Sequence, residues 1–67
     1  MQNAFMSEIQ AIRESLGMSQ AKFAKFVGFN QGTVSRWESG KLVINDTVLV
    51  GIRAKAASVL AARKSAA

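Results

Sequence analysis

The sequence predicts an all-α fold, a bundle of four to five helices, and three observations carry that expectation. Apolar residues recur at helical spacing in successive segments of the 67-residue chain. Gly17, Gly28 and Gly40 end three of those segments, as C-terminal helix caps do. Good N-cap residues (Ser7, Ser19, Asn30, Asn45) stand where new segments begin, and no proline interrupts any of them.

The first helix is expected from Ser7 to Leu16. Ser7 with Gln10 three residues later is a capping-box pattern, and Ile9, Ile12, Arg13 and Leu16 form one stripe. A second helix follows Ser19, with Phe23, Ala24 and Val27 inward and Gly28 at its end. Only Phe29 and Asn30 separate it from a third, in which Asn30 caps the start, Val34, Trp37 and Glu38 form the inner stripe, and Gly40 closes the end. Lys41 to Ile44 reads as a short connector. The fourth helix is expected over about residues 45–64, with Ile44 and Leu49 placed as a hydrophobic staple. Its inner stripe is Leu49, Ile52, Ala56, Val59 and Leu60. Gly51 costs about 1 kcal/mol relative to alanine inside a helix, so a break there, giving five helices, stays open.

The whole chain, residues 1–67, reads as one domain with a motif core at 19–40. A domain this short buries only about 60% of the surface that its unfolded chain exposes, so close helix packing or a partner subunit must supply stability. With no cysteine and no histidine, disulfides and the usual zinc sites are excluded, and no metal or cofactor is expected. The four acidic residues are scattered, with no pair poised for acid–base work, and no phosphate-cradling glycine motif is present, so an enzyme is not expected.

Nine Lys and Arg against four Asp and Glu give a net charge of +5. Residues 1–19 carry one arginine against two glutamates, so the surplus lies in residues 20–67. An uneven basic surplus suggests a polyanionic partner, nucleic acid before membrane surface. The longest apolar tract, Thr47 to Ala62, is broken by Arg53 and Lys55 and is too short to span a bilayer. It also lacks the aromatic anchors of an interfacial helix. With no basic, apolar leader at the start, the expected compartment is the cytoplasm.

Two short helices joined by a tight glycine-containing turn are the mark of DNA-binding helix-turn-helix proteins. The run Ser19-Gln20-x-x-Phe23-Ala24-x-x-Val27-Gly28-Phe29-Asn30-x-x-x-Val34-Ser35-x-Trp37-Glu38-x-Gly40 resembles the Cro/C1-type, XRE-like or lambda-repressor-like, regulators in residue type and spacing. Ala24 stands where the two helices come closest, and Gly28 where the turn needs positive φ. The resemblance, over residues 9 to 41, implies that Gln20 binds a DNA phosphate and braces the third helix. It implies that Gln31, Gly32, Thr33 and Arg36 face base edges or nearby phosphates, that Lys41 reaches the backbone, and that Arg13 and Glu38 form a buried ion pair. At 100° per residue, Gly32, Ser35, Arg36 and Ser39 share the face opposite Val34, Trp37 and Glu38. That face is small and polar, which suits a major groove.

The expected DNA-contact set is therefore Gln20, Asn30, Gln31, Gly32, Thr33, Ser35, Arg36, Ser39 and Lys41. Two features depart from the family pattern: Gly32 lacks a side chain at a position that often reads bases, and the connector after Gly40 has no proline. Lys22, Lys25, Arg53 and Lys55 read as solubilising charges, and Arg63 and Lys64 as a frayed end. The expected partner is a double-stranded operator, bound by a homodimer joined through residues 42–61. Leu42, Val43 and Ile44 cannot all face one small core, and Val50, Ala54, Ala57 and Ala61 form a second stripe on the fourth helix. A regulator of antitoxin or anti-CRISPR-associated type, holding a protein partner on the same fold, is the alternative.

Overall fold

In the computed structural model, which describes residues 7–66, the chain folds as four helices: α1 (Glu8–Ser15), α2 (Gln20–Val27), α3 (Gln31–Ser39) and α4 (Asp46–Ala66). Each start is fixed by a side-chain cap. Ser7 Oγ accepts the Gln10 N–H at 3.1 Å, Ser19 Oγ the Lys22 N–H at 3.1 Å, and Asn30 Oδ1 the Thr33 N–H at 2.8 Å. Asn45 Oδ1 accepts the Thr47 N–H at 2.8 Å ahead of α4. The capping box at Ser7 is only half made, because the Gln10 carboxamide donates forward to Glu14 instead.

Helix ends follow the glycines. Gly28 and Gly40 cap α2 and α3 with φ of +83° and +80°, a left-handed conformation that costs a residue with a Cβ about 1–2 kcal/mol. Gly51 behaves differently. α4 runs unbroken through it, so the fold has four helices and not five. Packing outweighs the glycine here: Val48 and Leu49 before Gly51, and Ile52 and Ala56 after it, hold α4 against the core.

The core is Ile9 and Leu16 from α1, Phe23 and Ala24 from α2, Val34 and Trp37 from α3, and Ile52 and Ala56 from α4. Phe23 and Val34 are sealed completely, and full burial of such a side chain is worth on the order of 1.5–3 kcal/mol. Ile44, Leu49 and Val59 pack against this cluster, whereas Leu60, expected inside, is exposed. It lies at the edge of the α4 stripe, one turn beyond Ala56.

Three basic residues of α4 have structural partners, which corrects the reading of Arg53 and Lys55 as solubilising charges and of Arg63 as part of a frayed end. Lys55 Nζ donates to the Phe26 carbonyl at the end of α2 and sits 4.8 Å from the centre of the Phe26 ring. Arg63 Nη2 donates at 3.1 Å to the carbonyl of Leu16, the C-cap of α1, so this end of α4 is anchored and not frayed. Arg53 pairs with Glu8 at the start of α1. Helix C-termini carry unpaired carbonyls and partial negative charge, and cations satisfy both.

Candidate nucleic-acid interface

α3 is held by a polar hub beneath it. Arg13 Nε donates to Glu38 Oε2 at 2.6 Å and Nη2 donates to Oε1 at 3.1 Å, a two-pronged pair. Arg13 Nη1 also donates to the Met18 carbonyl at 2.9 Å. The two side chains keep only 15% and 7% of their surface in contact with solvent. Glu38 raises the Arg13 guanidinium above its ordinary pKa, chiefly through these hydrogen bonds. The Gln20 amide adds a third strut, donating to Glu38 Oε1 at 3.1 Å. One hub thus ties α1, the α1–α2 turn and α2 to α3.

Above the hub, Phe29 meets Trp37 edge to face with ring centres 4.8 Å apart, which fixes the α2–α3 turn against α3. The outward surface of α3 carries Gln31, Gly32, Ser35, Arg36 and Ser39, all exposed. Asn30 is exposed at its start and Lys41 just past its end. Thr33 is half-buried on the flank of this surface. The Ser39 hydroxyl donates back to the Arg36 carbonyl at 3.3 Å.

Donor capacity differs among these residues. Gln20 spends one amide hydrogen on Glu38 and retains a second for another acceptor. Asn30 spends its carbonyl oxygen on the cap and keeps its NH₂ group. Arg36 and Lys41, with Lys22, Lys25 and Lys64, form no ion pair among the described residues. The cations divide into two populations: those that brace helices and those with no ion pair among the described residues.

A helix-turn-helix family model matches residues 9–54, more than half of the chain. The chain belongs to the Cro/C1-type helix-turn-helix family. Its match begins at Ile9 of α1, takes in α2, α3 and the connector, and ends inside α4. Comparison with curated proteins and with solved structures returned no match. This helix-turn-helix protein is therefore a DNA-binding regulator with a lambda-repressor-like helical bundle. Among the described residues no helix is long and apolar enough to cross a membrane.

The bracing roles of Lys55, Arg63 and Arg53 were not legible in the sequence. Each depends on which helix end α4 crosses, and nothing in local spacing reports that. Arg13 differed, because a charge set within an apolar stripe signals a partner on another helix.

Proposed function

We propose that this helix-turn-helix protein is a cytoplasmic repressor. It inserts α3 into the major groove of a palindromic operator as a homodimer and silences a promoter by occlusion. The observation that carries the reading is the outward face of α3, small and polar with Arg36 exposed on it, over a hub that fixes its orientation. An α-helix fits the major groove, and arginine pairs best there with the O6 and N7 acceptors of guanine. Gln20, Asn30 and Lys41 flank the face and supply donors for phosphates, with Gln31, Gly32, Thr33, Ser35 and Ser39 along the groove. Phosphate contacts set position and base contacts set sequence.

The dimer is supported by apolar surface that one copy leaves in water: Leu42 is 43% exposed, Val43 89% and Val50 59%. Ala54, Ala57 and Ala61 are exposed on the same side of α4 as Val50.

Selection from a random-sequence duplex pool tests the reading. A defined site should emerge, bound at least about 10³-fold more tightly than random DNA. Arg36→Ala should then relax preference at one base pair, at a cost of about 1–3 kcal/mol. Lys41→Ala should weaken all sequences evenly and flatten the salt dependence by about one charge. Equal loss on selected and random DNA for Arg36→Ala would reduce it to a phosphate contact and remove the basis of the reading.

A further inference from the structure

Gly32 is the second residue of α3, and Arg36 follows it by four positions, one helical turn further on. Long side chains on a helix lean back toward its N-terminus, and Arg36 does so. A methyl group built at Gly32 would stand 3.7 Å from Arg36 Nη1 and 4.0 Å from Nη2. It would also stand 3.4 Å from Asn30 Oδ1, the oxygen that caps the helix. The space above Gly32 is thus bracketed by the guanidinium on one side and the cap oxygen on the other. A methyl group fits between them in ordinary contact, whereas a longer side chain enters the volume that the guanidinium fills.

We propose that Gly32 is a positioning residue for Arg36: its missing side chain gives the guanidinium the space to lie over the first turn of α3 and so selects which base pair Arg36 reads. The inference rests on the reading of Arg36 as a base contact. The pair read is the one facing the N-terminal turn of α3, where the unpaired backbone N–H groups of the helix also point. Donors from side chain and backbone converge there, which favours an acceptor-rich edge such as that of guanine. The absent side chain at a position open to base contact thereby becomes part of the readout and not a loss of it.

The test compares Gly32→Ala, Gly32→Leu, Gly32→Gln, Arg36→Ala and the double variant Gly32→Leu with Arg36→Ala. Each is measured on the selected site and on the same site altered at the base pair whose preference Arg36→Ala abolishes. Thermal melting checks that each variant is folded, which the exposed position of Gly32 favours. Arg36→Ala should remove a preference of roughly 5- to 150-fold at that pair. Gly32→Ala should keep the preference within about two-fold, because a methyl group fits. Gly32→Leu and Gly32→Gln should remove it, and Gly32→Leu should add no more than about two-fold once Arg36 is alanine. An equal cost of Gly32→Leu with and without Arg36, or a preference unchanged in both long-chain variants, overturns the inference while leaving Arg36 a base contact. A preference unchanged in Arg36→Ala overturns the reading of Arg36 and the inference with it.

Discussion

Arg13 and Glu38 show how a charged pair can specify a small core. Each lies in a stripe of apolar residues, each side chain is largely removed from water, and the two hydrogen-bond to each other, with Arg13 also bonded to Met18 and Glu38 to Gln20. The pair is part-buried, not fully buried as expected. Removing one partner of a fully buried pair costs about 3–5 kcal/mol by stranding the other. The 15% exposure of Arg13 places this case at the lower end. Glu38→Ala should therefore destabilise the domain by about 3 kcal/mol, and urea unfolding measures it. A loss below about 1 kcal/mol, the usual size for a surface pair, would contradict the bracing role. Glu8 and Arg53 provide the contrast, since both are about half exposed. Hydrogen bonds from Arg53 hold the Glu8 carboxyl below its ordinary value. A lowered folded pKa adds stability above the unfolded value of about 4.3 and loses it as pH falls through the folded one. In an NMR titration, Arg53→Gln should move the Glu8 midpoint up toward the ordinary carboxylate value, and an unmoved midpoint would rule the pairing out. The Arg13–Glu38 partnership was legible in the sequence because both residues break an apolar pattern. The Glu8–Arg53 pair was not, because the two charges lie 45 residues apart in sequence and no local spacing reports that their helices meet.

At the scale of elements, two glycines make opposite predictions from their backbones. Gly28 caps α2 in the left-handed region, so Gly28→Ala should cost about 1–2 kcal/mol although nothing stands within 4 Å of the added methyl group. Gly51 lies inside α4 with equally open space around it. Gly51→Ala should raise stability by about 0.5–1 kcal/mol through helix propensity and reduced freedom of the unfolded chain. Unfolding curves in which the two variants shift the same way would contradict both assignments. The start of each helix was readable from Ser7, Ser19, Asn30 and Asn45, since capping is local chemistry confined to three or four residues. The continuity of α4 was not readable. It depends on Val48 and Leu49 before the glycine and Ile52 and Ala56 after it packing onto one core, and the propensity cost of Gly51 pointed the other way.

For the whole molecule, the net charge of +5 does not say which cations can reach DNA. Arg13, Arg53, Lys55 and Arg63 are tied to carboxylates or helix ends, while Arg36 and Lys41 stand exposed at α3. The recognition residues were legible through their resemblance to a known pattern and their spacing on one helical face. The identity of the bracing cations needed the fold. One α3 contacts only a handful of base pairs, too few to single out a site among about 10⁶ or more competitors. Two copies related by a two-fold axis place their recognition helices about 34 Å apart, one turn of DNA. Sedimentation of the complex with a palindromic site should give two protein chains per duplex. One chain per duplex, with affinity unchanged when half the palindrome is scrambled, would exclude the dimer. The claim on which the rest depends is that α3 presents the DNA-binding surface. An NMR titration of the isotope-labelled protein with its selected duplex tests that claim most directly. Amide shifts concentrated at Gln20 and across residues 30–41, with little change from Arg53 to Arg63, are the predicted result; shifts centred on α4 with α3 unmoved would contradict it.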